Sequence, residues 1–199
     1  METAVSKEQL LELKLSLSER LTGKPYFYDV RMREDNSLHI LVENHCNTYF
    51  VKETARKFAK DFSITVTYEK IKSLNDYLRC FSFPDEKYQL REYAEAQNAI
   101  NFYMKKMSWS DVYKNVYVRE NGGPVSVVDF ACRGANGALL YMYKLALSRG
   151  HKKRKRDILI NAAEFFERRF AKDFIEVLAY TAYVVDGKIT FQEKFERKH

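Results

Sequence analysis

The sequence predicts an α+β fold, in which a small sheet-and-helix unit precedes a helix-rich unit that ends in a β-hairpin. Three patterns predict it: apolar residues at helical spacing, short alternating segments between turn residues, and an Asp-Gly turn near the C-terminus. A hydrophobic content of 46% supports a packed core. We expect two units, residues 1–80 and 81–199, which could form one compact body because no long linker divides them.

A helix and a β-hairpin open the predicted first unit. A capping-box pattern at Ser6–Gln9 is followed by leucines at helical spacing, which predicts a helix over 7–21. Two alternating segments within 28–42 flank turn residues and predict the hairpin. Its outward face, which includes Asp29 and His39, is expected to be solvated.

Apolar and turn patterns predict the later elements. In chain order they are a helix from about 48 to 62, a strand at 64–68, a short helix over 71–80, a helix from about 84 to 107, a strand over 111–120, a helix from Pro124 to about Arg149, a helix from Asp157 and a hairpin turning at Asp186-Gly187. In this hairpin, Val184 is expected to face Ile189, and Ala182 to face Phe191.

The charge of the chain is unevenly distributed. Residues 1–100 contain 15 Lys/Arg and 16 Asp/Glu, a net charge of −1, whereas residues 101–199 contain 19 and 11, a net charge of +8. Positive charge segregated in this way favours an anionic partner over a role in solubility alone.

The most unusual stretch runs from Arg149 to Lys172 and opens with six Lys/Arg in eight residues. An amphipathic helix follows, and its positive N-terminal end adds to the attraction for phosphate. We therefore predict an intracellular, non-enzymatic protein that binds the phosphate backbone of DNA or RNA. The candidate binding residues are Arg149, Lys152, Lys153, Arg154, Lys155, Arg156, Arg168, Arg169, Lys172 and, as an extension of the same track, Arg119.

Other interpretations of these segments stay open. The cluster could be a solvated loop, or Lys152–Arg156 could be a nuclear-import signal in a eukaryotic or viral setting. The rival function is a protein-binding module, such as a viral or phage accessory factor, that docks on an acidic partner or self-associates. It rests on the small-residue face of the helix predicted over 125–149 and on the high tyrosine content.

Two weaker patterns also point to nucleic acid. Tyr113, Tyr117 and Arg119 share one face of a predicted strand and could form a stacking platform for unpaired bases, although core packing is the alternative. Residues 134–137 match the GxxG form of the KH-type loop, within what is predicted as a helix. The predicted element order over 157–195 is similar in topology to Alba-type and KH-type folds.

A seven-residue segment recurs with six matches. Arg56–Phe62 reads RKFAKDF and Arg168–Phe174 reads RRFAKDF, and each is predicted to lead from a helix into a strand. Duplication of an α/β unit, convergent helix-exit chemistry and chance all remain explanations.

No catalytic, metal or cofactor motif is present in the sequence. The four histidines are scattered, and no phosphate-binding glycine loop or nucleophile elbow occurs, so neither an enzyme nor a cofactor is predicted. The three cysteines, Cys46, Cys80 and Cys132, have no metal-ligand spacing and are expected to be free thiols. The N-terminus lacks the pattern of a signal peptide, and no apolar run is long enough to span a membrane.

Overall fold

Helices and strands are mixed along the whole chain. The computed structural model describes residues 5–20, 27–44, 48–83, 91–107, 110–119, 126–134, 137–146, 152–185 and 188–195. The elements are α1 (Lys7–Arg20), β1 (Phe27–Met32), β2 (Leu38–Glu43), α2 (Tyr49–Phe62), β3 (Val66–Ile71), α3 (Leu74–Phe81), α4 (Arg91–Lys106), β4 (Ser110–Val118), β5 (Ser126–Arg133), β6 (Leu139–Ala146), α5 (Lys152–Phe170), β7 (Glu176–Val185) and β8 (Lys188–Phe195). The α+β class and the C-terminal hairpin are confirmed.

The chain forms two compact units, each with its own sheet. The first contains the described residues up to Lys72, together with Arg119, and its sheet has the order β1-β2-β3. The second contains Ser73–Val118 and the described residues from Ser126 onward, and its sheet has the order β4-β5-β6-β7-β8. None of the described helices is long and apolar enough to cross a membrane.

In the first unit, α1 and α2 cover one face of the sheet. The core contains Leu13 and Leu17 from α1 and Val51 and Ala55 from α2. Strands β1 and β2 contribute Phe27, Val30, Leu38, Ile40 and Val42. Strand β2 pairs antiparallel with β1 and parallel with β3, so the chain has to cross over between β2 and β3, and α2 makes this crossover.

In the second unit, α4 and α5 cover opposite faces of the sheet. Ala96, Ile100 and Met104 of α4 share a core cluster with Phe130 of β5 and Tyr143 of β6. Helix α5 contacts β5, β6 and β7. The ring of Tyr77 in α3 lies 5.1, 5.7 and 5.4 Å from the rings of Phe165, Phe166 and Phe170 of α5, measured between centroids.

The two units share one pattern of connections. The path β5-β6-α5-β7 repeats β1-β2-α2-β3, because β6 pairs antiparallel with β5 and parallel with β7. The recurring segments Arg56–Phe62 and Arg168–Phe174 lie at the same step of this path. Arg56–Phe62 forms the last two turns of α2, whereas Arg168–Phe174 begins in the last turn of α5 and continues beyond its end.

The prediction of a helix over 124–149 is wrong. Ser126–Arg133 and Leu139–Ala146 are antiparallel strands, and Gly137, with φ of +70°, precedes the second strand. Because helices cover both faces of this sheet, its strands are apolar on both sides. Without a clear alternation, the apolar residues also fit the spacing of a helix.

Helix α5 and the final hairpin also differ from the prediction. Helix α5 begins at Lys152 rather than at Asp157, so Lys152–Arg156 is helical. In the final hairpin, Val184 faces Ile189 as expected, but Phe191 pairs with Tyr183 because the register shifts between Tyr183 and Val184. The turn residues 186–187 lie outside the described residues.

The aromatic cluster between α3 and α5 predicts a large effect of truncation. Phe166 is completely buried, whereas Phe102 on α4 is 72% exposed. Phe166→Ala should lower the free energy of unfolding by about 3–5 kcal/mol, and Phe102→Ala should change it by less than about 0.5 kcal/mol. Chemical denaturation measures both values, and equal losses in the two variants would contradict this packing.

Candidate nucleic-acid interface

The start of α5 presents basic side chains to solvent. Arg154 and Arg156 are exposed, and the first turn of the helix contains no acidic residue. Within the described part of the chain, the side chain of Arg154 makes neither a hydrogen bond nor an ion pair. Partial positive charge at a helix N-terminus adds to that of the guanidinium groups. Arg149 and the side chains of Lys152 and Lys153 lie outside the described residues.

Lys155 differs from its neighbours because it lies on the inner side of α5. It is half-buried and stands one turn before the fully buried Leu159. Burial lowers the pKa of Lys155, and the nearby carboxylate of Asp129 acts in the opposite direction. Its ammonium group therefore lies partly in the contact between α5 and the sheet and partly at the outer surface.

Asp129 is the centre of a buried charge cluster on β5. Its side chain is 1% exposed, and it accepts hydrogen bonds from Lys144 Nζ at 3.0 Å and from the backbone N–H of Leu145 at 2.6 Å. The Lys144 ammonium group also donates to the carbonyl of Val127 at 2.9 Å. Burial raises the pKa of Asp129, against the attraction of Lys144. The cluster joins β5 to β6 and has the character of a structural ion pair.

The other end of α5 carries a second group of cations. Arg168 and Lys172 are exposed, and Arg169 is half-buried. Lys172 forms neither an ion pair nor a hydrogen bond with any of the residues described. Arg154 and Arg168 are 14 residues apart, which is close to four helical turns, so they point to similar sides of the helix about 21 Å apart.

Acidic residues separate the two basic ends. Asp157 and Glu164 are exposed on the outer side of α5. The helix therefore offers two separate basic ends to an anionic partner and no continuous basic stripe.

Arg119 is engaged elsewhere, in the first unit. Its Nη1 atom lies 2.8 Å from Oδ1 of Asp29, and Lys14 Nζ lies 2.9 Å from the same oxygen. Oδ2 of Asp29 pairs with Arg31 Nε at 3.0 Å. Burial acts to raise the pKa of Asp29, but Lys14 and Arg119 outweigh it and hold that pKa below its usual range. The guanidinium group of Arg119 is thus already paired with the carboxylate of Asp29.

The expectation that this face of the first hairpin is solvated is wrong for Asp29 and His39. Asp29 is 5% exposed and His39 is 7% exposed. Nδ1 of His39 lies 2.9 Å from the hydroxyl of Thr67, and Arg33 Nη2 lies 3.0 Å from Nε2. Nε2 also lies 3.2 Å from Oε2 of Glu69, so it can accept from Arg33 when the ring is neutral or donate to Glu69 when the ring is protonated. Burial and Arg33 accordingly lower the pKa of His39, against the carboxylate of Glu69.

The tyrosines of β4 pack against neighbouring elements. Both rings are half-buried, and the Tyr117 ring meets Phe83 edge-on at 5.0 Å between centroids. Asn115 between them is buried and accepts a hydrogen bond from Gln97 of α4 at 2.9 Å. Core packing, the alternative to a stacking platform, agrees with these contacts.

The GxxG segment lies in the connection between β5 and β6, where a helix was predicted. The guanidinium group of Arg133 donates to the carbonyl of Gly137 and, at 2.6 Å, to the carbonyl of Asp173. Arg133 thus ties this connection to the exit of α5. Residues 135 and 136 lie outside the described residues.

A second basic surface, which the prediction missed, lies in the first unit. A hollow of about 520 Å³ opens at the end of α2, and its lining includes Arg56, Lys60 and Tyr68. The recurrence of RKFAKDF, with cations at its first and fifth positions, was a sequence signal for it. Arg56 and Lys60 correspond in that alignment to Arg168 of α5 and to Lys172, two residues beyond its end.

Other chemistry is sparse in the described ranges. They contain no group of three or more His, Cys, Asp or Glu that could hold a metal ion. Cys80 and Cys132 are not joined by a disulfide, and burial raises the pKa of Cys132 to about 12. Cys46 lies outside the described residues. Comparison with protein-family models, curated proteins and solved structures finds no match for this chain.

The Asp29 cluster predicts a stability effect. Asp29→Asn removes the counter-charge of Lys14, Arg31 and Arg119, and should lower the free energy of unfolding by about 3 kcal/mol. Chemical denaturation measures the loss. A matched change at an exposed carboxylate of the same unit, Asp61→Asn, should cost less than about 0.5 kcal/mol, and a similar loss there would contradict the assignment.

The His39 network predicts how stability changes with pH. The pKa of His39 is lowered in the fold from 6.5, so the unfolded chain binds a proton more readily. The network therefore stabilises the protein fully above pH 6.5, and this stabilisation is lost as pH falls through the folded pKa. Thermal unfolding across this pH range should show that Tm falls more steeply with decreasing pH in the wild type than in the His39→Gln variant. If Tm falls no more steeply in the wild type than in the variant, Glu69 stabilises the imidazolium.

Proposed function

We propose that the protein binds nucleic acid through contacts between the phosphate backbone and the two basic ends of α5. The observation that carries this proposal is the exposure of Arg154 and Arg156 at one end and of Arg168 and Lys172 at the other. Arg154 and Lys172 in particular lack carboxylate partners among the described residues. Cations in this state gain the most from phosphate, because they give up no existing ion pair.

The proposed mode of binding follows from the layout of charge on the helix. The ends are about 21 Å apart, and each strand of a duplex presents one phosphate per about 3.4 Å of its axis. Asp157 and Glu164 lie between them and repel phosphates that approach the middle. We therefore expect the helix to touch a strand or duplex at two points. Such contacts fix position and affinity without reading sequence.

The net charge of +8 in residues 101–199 supports the same function at longer range. A field of one sign accelerates the approach of a polyanion and raises its local concentration. Affinity that rests on such contacts weakens steeply with added salt, because phosphate neutralisation releases counterions.

We propose binding without catalysis, in a compartment that contains DNA or RNA. His39 is engaged with Arg33 and Thr67, and Cys132 is buried. In a eukaryotic or viral setting, Lys152–Arg156 could also act as a nuclear-import signal. The rival protein-binding function has lost one of its supports, because Ser126–Arg133 and Leu139–Ala146, which include most of its small-residue face, form β5 and β6.

A salt titration with matched variants tests the proposal. Arg154→Gln combined with Lys172→Gln should lower affinity for a short oligonucleotide and reduce the slope of log K against log salt by about 1.4–1.8, the value for two lost phosphate contacts. Fluorescence anisotropy measures both quantities.

The control is Lys105→Gln with Lys106→Gln, which removes the same charge from the exposed end of α4 in the same unit. It should leave the slope unchanged. Binding that is absent at low salt, or a control that matches the α5 variant, would refute the proposal.

A further inference from the structure

A hollow of about 520 Å³ lies at the end of α2, wholly within the first unit. Its lining residues are Arg56, Ala59, Lys60, Ser63, Ile64, Val66 and Tyr68. This volume is within the range of small-molecule sites, which is roughly 300–1,000 Å³. The hollow forms where α2 ends at Phe62. The next residue, Ser63, has the left-handed conformation with φ of 54°, and the chain then turns toward β3.

The charge that lines the hollow is uncompensated. Arg56 and Lys60 are four residues apart on one side of α2, both are exposed, and no lining residue is acidic. Neither side chain forms a hydrogen bond or an ion pair with the described residues. Lys57, on a different side of the helix, instead pairs with Glu53 at 3.6 Å. Positive charge therefore concentrates at the hollow and not over the whole end of the helix.

The rest of the lining is mainly apolar and aromatic. Ala59, Ile64 and Val66 line the hollow together with the half-buried Tyr68. Lys52, one turn before Arg56, places its ammonium nitrogen 5.5 Å from the centroid of the Tyr68 ring. The hydroxyl of Tyr68 is buried and has no hydrogen-bond partner among the described residues. The lining therefore suits a ligand with an anionic group and an adjoining flat or apolar part.

We propose that this hollow binds a phosphate group carried by an organic molecule, with Arg56 and Lys60 holding the phosphate and the apolar lining contacting the attached group. A guanidinium fork matches two phosphate oxygens, and an ammonium group adds a point charge. A free nucleotide and a nucleotide within a strand share this chemistry. The site is in the first unit and is independent of the binding proposed for α5.

Calorimetric titration with adenosine 5′-monophosphate tests the site, with adenosine as the uncharged control ligand. The nucleotide should bind the wild-type protein and adenosine should bind at least about tenfold more weakly, because it lacks the charge-assisted contacts. Arg56→Gln combined with Lys60→Gln should weaken nucleotide binding by at least about tenfold. A short oligonucleotide that competes with the nucleotide would identify a strand as the source of the phosphate.

Two control variants separate the outcomes. Lys57→Gln with Lys172→Gln removes the same charge outside the hollow, and Arg154→Gln with Lys172→Gln disables the α5 ends; both should leave nucleotide affinity within about twofold of wild type. Circular dichroism checks that each variant is folded. The proposal is overturned if the nucleotide fails to bind, if it binds no better than adenosine, or if the hollow variant binds as the wild type does.

Discussion

The parallel pairing of β2 with β3 and of β6 with β7 is the constraint on which the rest of the structure depends. Parallel neighbours cannot be joined by a tight turn, so each pair requires a crossover segment, and α2 and α5 make these crossovers. A crossover helix has to bury one side on its sheet, which leaves its ends and its outer side to solvent. The basic residues of both proposed sites lie in these positions.

Two groups of cations among the described residues have different surroundings. Arg119 and Lys144 are held by buried carboxylates, and Lys155 is half-buried near Asp129. Removing a carboxylate from such a group would leave charge buried without a partner. Arg154, Lys172, Arg56 and Lys60 instead have no carboxylate partner among the described residues. We base function on this second group, because an ion pair already made opposes the binding of a phosphate.

The sequence predicted elements whose pattern is strong and local. Three elements could be predicted because each has one apolar face and one polar face. They are α1 with its leucine stripe, the hairpin of β1 and β2, and α2 with its apolar periodicity. The strands β5 and β6 were predicted as a helix because helices cover both faces of their sheet, and alternation is lost.

The candidate sites were predictable only in part. The basic composition of the sequence pointed to α5. Residue spacing did not show that Lys155 lies near Asp129 or that Arg119 pairs with Asp29, because β5 and β1 bring those carboxylates from distant parts of the chain. The hollow beside Arg56 was missed for a similar reason. Its cations adjoin Tyr68, and only the return of β3 places that ring beside α2.

The central claim is that cations left unpaired at the ends of crossover helices receive phosphate. A residue-resolved NMR titration of the intact chain with a short oligonucleotide tests it most directly. We predict that the backbone amides at the start of α5, around Arg154, and at its exit, around Lys172, shift together and saturate at one concentration. Shifts that leave both ends of α5 unmoved while the oligonucleotide binds elsewhere would contradict the account.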